Sequence, residues 1–193
     1  SLRHTEHNAV YCNPKEENAM AFSRSINSYL DEWRHSPFRK PLVVRGARQV
    51  GKTTVVSEFG KTFPTFFSLN LELEHHRRYF TNNLKPAEIL QKLSLDFGKQ
   101  KKGDVLLFLD EIQHCPEAIA ILRYFYEEQK DVFVIAAGSL LEVMMDLKQV
   151  SFPVGRIEYL YLFPMNFREF LAANNENEAL TLLETVPFPG WAE

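Results

Sequence analysis

The sequence has little cysteine. Cys12 and Cys115 are the only two in 193 residues, and neither has the spacing of a metal ligand. A disulfide-stapled scaffold and a cysteine zinc site are therefore excluded, and both thiols are expected to be reduced. Long hydrophobic runs are also missing. Val105 to Leu109 and Val132 to Ala137 are apolar but far too short to span a bilayer, so no membrane association is expected. Neither sign of charge dominates: 22 Lys and Arg face 25 Asp and Glu, a net charge of −3. That balance gives little support to a nucleic-acid partner, although a local basic patch can exist. Internal repeats and low-complexity tracts are absent. The N-terminus is polar and His-containing, without the pattern of a secretory signal. A chain that starts at Ser1 is expected to be trimmed or processed, and a cytoplasmic location is the default. With 45% hydrophobic residues the chain is not a disordered one.

What is present is organised around one stretch. Gly46-Ala47-Arg48-Gln49-Val50-Gly51-Lys52-Thr53 fits G-x-x-x-x-G-K-[ST]. The apolar Leu42-Val43-Val44 precedes it, and the helix-like Thr54-Val55-Val56-Ser57-Glu58-Phe59 follows. Strand, glycine-bounded loop and helix make a phosphate cradle. Glycines allow close backbone approach, and the first N–H groups of the helix point at the anion. The candidate nucleotide-binding set is Gly46, Ala47, Arg48, Gln49, Val50, Gly51, Lys52, Thr53 and Thr54. Lys52 would place its charge on the β/γ-phosphates, and the Thr53 hydroxyl would ligate Mg²⁺. Within the loop, Arg48 reads as structural or solvent-facing.

The rest of the chain alternates strands with helices, which predicts an α/β three-layer sandwich around a mostly parallel five-stranded sheet. Residues 1–15 read as a flexible arm, and 16–36 as an amphipathic helix packed on the core. A nucleotide-binding core is expected over 37–165, and a helical extension over 166–193. Strands are expected at Leu42–Arg45, Thr65–Leu71, Val105–Leu109, Val132–Ala137 and Ile157–Phe163. The glycines at 60 and 98 read as helix C-terminal stops. Asn166 and Glu169 read as a capping pair. The pair His75-His76 reads as part of a solvated loop rather than a metal site, because adjacent side chains diverge.

Asp110 and Glu111 close the buried run Val105–Leu109. Ligands of such sheets sit at the carboxyl ends of the strands, which is also where the phosphate loop lies. Asp110 is the candidate second Mg²⁺ residue. Glu111 is the candidate general base for an attacking water. Ser139 ends the next strand. It either senses the γ-phosphate or, with Glu142, forms a capping box; a hydroxyl can do both. Arg156, before the fifth strand, is either a surface residue or an arginine that stabilises developing charge, in its own chain or in a neighbour's site. Gln113 can add a polar contact.

GARQVGKT, LLFLDEIQHCPEAI, LRYFYE, VIAAGSLLEV and SFPVGRIEYLYLFPMNFREFL, in this order, resemble the prokaryotic AAA-type P-loop ATPases from about Ile26 onward. The resemblance implies an AAA-like P-loop fold, with Gly46 to Thr53 as Walker A and Asp110 and Glu111 as Walker B acids. It makes Ser139 the sensor position and Arg156 a candidate arginine finger. It also implies ATP and Mg²⁺ as cofactors, and homo-oligomers as one form of assembly. Relatives of this kind continue into a second domain, so the extension at 166–193 is expected to lead to one that is missing here. The expected function is an ATP-hydrolysing switch that docks on a protein partner or on that domain. The alternatives are a small-molecule P-loop kinase and a nucleotide-gated adaptor with negligible turnover.

Overall fold

The computed structural model describes residues 25–81, 84–99, 102–139, 152–153 and 155–185. The expected arm at 1–15, the start of the helix expected from residue 16, Cys12 and Glu142 lie outside the described residues. Five strands form one sheet: β1 Leu42–Arg45, β2 Thr65–Asn70, β3 Val105–Asp110, β4 Val132–Gly138 and β5 Glu158–Tyr161. Their order is β2-β3-β4-β1-β5, and every pairing is parallel. The described helices are α1 Ser25–His35, α2 Lys52–Gly60, α3 Glu74–Arg77, α4 Pro86–Asp96, α5 Pro116–Glu128, α6 Phe167–Ala173 and α7 Asn177–Thr185. A 3₁₀ turn, Ile112–His114, joins β3 to α5.

Handedness decides which face each helix takes. The step from β1 to β2 runs leftward across the sheet, while β2 to β3 and β3 to β4 run rightward. Right-handed crossovers therefore put α2 on one face and α4 and α5 on the other. The two cores follow that division. Leu42, Val44, Leu106, Phe108, Phe133 and Ile135 pack with Trp33 of α1 and Val56 and Phe59 of α2. Val43, Leu107, Leu109, Val134 and Ala136 pack with Ile89 and Leu93 of α4 and Leu122 and Phe125 of α5. Alternate residues of one strand thus feed opposite cores, as strand geometry requires. β3 and β4 are buried along their whole length, which is why their sequences carry no polar alternation.

The edges read differently. β5 has a covered partner, β1, on one side only, and Tyr159 and Tyr161 are exposed. It is also shorter than the run expected from Ile157 to Phe163. β2 stops at Asn70 rather than Leu71, whose N–H still bonds to Asp110 O at 2.9 Å.

Four local expectations change or hold for stated reasons. Gly60 is the last residue of α2, with no left-handed backbone. It is glycine for space: a Cβ there would lie 2.5 Å from the Phe66 ring. Gly98 does take the left-handed conformation after α4, φ +60°. The Asn166–Glu169 box forms, Glu169 N–H donating to Asn166 Oδ1 at 2.9 Å and Asn166 N–H to Glu169 Oε2 at 3.0 Å. The histidine pair falls in α3, not in a loop. Its rings lie 4.3 Å apart rather than diverging, and His76 Nδ1 is 3.0 Å from Asn70 N. Burial lowers the His76 pKa below the ordinary range for imidazole.

Candidate functional site

The loop from Gly46 to Gly51 follows β1, at the carboxyl end of the sheet. Its shape depends on backbone conformations that side chains disfavour. Gly46 has φ +152°, Gln49 +62° and Gly51 +92°. A Cβ on Gly46 would sit 2.2 Å from Leu162 O, so the loop passes directly under the chain leaving β5. Gly51 caps α2 without a side chain, and Val55 N–H bonds to Gly51 O at 3.0 Å. No residue of the first turn of α2 is acidic. The helix N-terminus thus offers its N–H groups to an anion with no carboxylate of its own in competition.

Lys52 is 6% exposed, and its ammonium lies back along the loop. Nζ donates to Gly46 O at 2.9 Å and to Ala47 O at 2.6 Å. Burial lowers its pKa, against the opposing pull of Glu111 and Asp110. Thr53, the next residue, donates from Oγ1 to Asp110 Oδ2 at 2.6 Å. This meeting needs the fold. Only β4 lies between β1 and β3, and the loop leaving β1 brings Thr53, the second residue of α2, past it to the end of β3.

Asp110 is 7% exposed. Its other oxygen, Oδ1, accepts Glu111 N–H at 3.0 Å. Burial raises its pKa above the ordinary carboxylate value; the Thr53 and Glu111 bonds and Lys52 oppose the rise, while the Glu111 charge adds to it. Glu111 takes a left-handed backbone, φ +51° and ψ +46°, where strand turns into 3₁₀ helix. Its Oε2 accepts a hydrogen bond from Gln113 Nε2. The pair of hard oxygens on Thr53 and Asp110, 2.6 Å apart, has the chemistry and spacing suited to one small divalent cation such as Mg²⁺.

Ser139 lies at the same end, directly after β4, whose Gly138 pairs with Arg45. It is 2% exposed, and its Oγ has no hydrogen-bond partner among the described residues. A buried hydroxyl left so costs about 1–3 kcal/mol.

Arg156 is the residue the fold does not bring to its own loop. It precedes β5, at the amino end of the sheet, and its Nε bonds to Glu127 Oε1 near the end of α5 at 2.9 Å. Leu42 pairs with Glu158 and Arg45 with Tyr161, so Gly46 lies the length of β1 away from it. At about 3.3 Å per residue that is roughly 15–20 Å. The cause of the separation is that Arg156 enters β5 while the loop leaves β1, and the two strands are parallel. Also at that amino end is an open cleft of about 570 Å³, lined by Lys61, Phe66, Lys99 and Lys102, well away from the phosphate loop.

Two neighbours of the site were not singled out in the sequence. Arg45, the last residue of β1, lies 3.8 Å from the Tyr159 ring centre and donates to Tyr161 Oη at 3.2 Å. The available signal was the Tyr159, Tyr161 alternation, which puts both rings on one face. Asn70 ends β2 opposite Asp110. Its signal was a lone polar residue closing an apolar strand.

No curated protein matches the chain. Residues 38–171 match the family model described as AAA domain. That span holds the whole sheet, the phosphate loop, Asp110 and Glu111. With a parallel α/β sheet and a glycine-bounded loop facing two acids, the chain belongs to the AAA domain family, whose members are nucleotide-binding, ATPase-like proteins.

Proposed function

We propose that this chain binds ATP with Mg²⁺ at the Gly46–Thr54 loop and hydrolyses it, as a switch whose nucleotide state alters docking. The observation that carries the reading is the 2.6 Å contact of Thr53 Oγ1 with Asp110 Oδ2, with Glu111 next in the chain. In this reading the loop N–H groups and Lys52 hold the phosphates. Thr53 and Asp110 hold the cation, which neutralises phosphate charge when bound. Glu111 takes the proton of the attacking water, and the buried Ser139 hydroxyl meets the γ-phosphate or that water. An acceptor-specific kinase is disfavoured, because an acid beside the cation residue suits activation of water.

The distance of Arg156 from its own loop supports a further part of the reading. Arg156 serves a neighbouring copy, so one copy alone turns over slowly. The segment after β5 is the natural lever. Leu162 O occupies the space a side chain on Gly46 would need, and Phe163, Phe167 and Phe170 beyond it are exposed. A shift of the loop on phosphate loss would move that segment and the helices α6 and α7 that follow it. A protein partner or a following domain would read the movement.

Phosphate release and calorimetric ATP titration test this together. Wild type should release phosphate in a Mg²⁺-dependent way. Lys52→Ala should weaken ATP binding tenfold or more, from loss of a charge-assisted contact of about 1.5–3 kcal/mol. Glu111→Gln should keep binding and lose turnover. Unchanged titration of Lys52→Ala, or normal turnover of Glu111→Gln, would sink the assignment.

A further inference from the structure

We propose that Gln113 is a positioning residue for hydrolysis: its buried amide holds one oxygen of Glu111 and so aims the carboxylate at the water. The inference rests on the reading of Glu111 as general base.

Gln113 is 5% exposed. Burying an amide that makes no hydrogen bond costs about 1–3 kcal/mol, whereas an apolar side chain would fill the same turn at no such cost. The amide is used: Nε2 donates to Glu111 Oε2 at 2.5 Å. The main chain of Glu111 is already fixed from both sides. Its N–H bonds to Asp110 Oδ1 at 3.0 Å, and its carbonyl accepts His114 N–H at 3.1 Å. Its left-handed backbone, worth about 1–2 kcal/mol of strain in a non-glycine residue, marks a conformation imposed by the turn.

Only the Glu111 side chain keeps freedom, and its rotatable bonds would let the carboxylate swing away from the phosphate loop. Gln113 removes that freedom. It occupies Oε2 and leaves Oε1, which has no hydrogen-bond partner among the described residues, as the oxygen that accepts a proton from water. The backbone does the rest. Two residues along a strand would be 6–7 Å apart; the left-handed step at Glu111 and the 3₁₀ turn after it fold Gln113 back onto the carboxylate. In this reading Gln113 touches neither substrate nor cation and acts through Glu111.

The test uses the 193-residue chain with Mg-ATP, measuring kcat, KM and calorimetric ATP affinity. Gln113→Met keeps the volume and removes the donor. It should lower kcat about tenfold to a hundredfold, the range for a misaimed catalytic group, and leave KM and ATP affinity within twofold. In a Glu111→Gln background, the residual phosphate release, read at high protein concentration, should fall no further with the same substitution. Where Gln113→Met does not fold, Gln113→Asn carries the comparison, since its shorter amide stays polar but falls short of Glu111. Equal kcat losses in both backgrounds would mean a purely structural role and overturn the proposal. Unchanged kcat in Gln113→Met or Gln113→Asn, with Glu111→Gln inactive, would overturn it alone. Turnover indifferent to Glu111→Gln would instead remove the reading of the base itself, and this inference with it.

Discussion

Thr53 and Asp110 stand 57 positions apart in the chain and 2.6 Å apart in space, the hydroxyl of one donating to the carboxylate of the other. One comes from the start of α2, the other from the end of β3. Their contact brings the glycine-bounded loop and the acids together.

Asp110 is buried, and burial raises its pKa above 3.8. The folded chain therefore binds a proton at Asp110 more tightly than the unfolded chain does. Between the ordinary value and the raised one, stability falls as pH rises; above both, the cost of holding the charge is fully present. Asp110→Asn should remove that cost. An amide can still satisfy both neighbours, its oxygen accepting Glu111 N–H and its nitrogen donating to the Thr53 hydroxyl. The melting temperature without nucleotide at pH 7.5 should rise by a few degrees, and the gap to wild type should close on acidification. Mg²⁺-dependent phosphate release should be lost. Calorimetry showing a lower melting temperature for the variant would contradict the burial argument.

Gly46→Ala should damage the fold as well as the loop. Its Cβ would have to displace Leu162 O from 2.2 Å, in a chain that is itself bonded through Leu162 N–H to Arg45 O at 2.8 Å. A loss of about 2–4 kcal/mol is expected, or roughly 5–15 °C in melting temperature. Ala47→Gly, at an exposed position of the same loop, should change it little. Similar melting curves for the two variants would refute the close approach.

Arg156→Ala should leave ATP affinity unchanged and cost little stability, because the bond to Glu127 is an exposed one worth at most about 1 kcal/mol. Its effect on turnover should depend on assembly. Mixed with Lys52→Ala protein, it should recover part of the wild-type rate, each variant supplying what the other lacks. A mixture as inactive as its components would exclude action across copies.

Cys115 should resist alkylation in the native protein. It is 2% exposed, and burial pushes its thiol up to about 11. At pH 8 the thiolate is then about one part in a thousand. In a Cys12→Ser background, mass spectrometry after iodoacetamide should find Cys115 unmodified when folded and fully modified in urea. Rapid native labelling would place the thiol outside the core.

The sequence by itself determined the parallel α/β class and the family, and it marked the glycine-bounded loop and the two acids as candidates. These were legible because each is a local pattern: glycines at fixed spacing, five apolar residues before Asp110, strand signals alternating with helical stripes. The Asn166–Glu169 cap was legible for the same reason. Tertiary structure alone decided which of these features meet. Strand order places β3 just beyond β4 from β1, so the chain entering α2 brings Thr53 to Asp110. Parallel pairing of β1 with β5 sends Arg156 to the far end of the sheet, though its sequence context resembled an arginine finger. Gly60, read as a helix stop, is glycine because of the Phe66 ring across the turn. Gln113 reaches Glu111 because the left-handed backbone of Glu111 itself and the 3₁₀ turn after it fold the chain back. Distances between elements follow from strand order and direction, and no local pattern of residues encodes either.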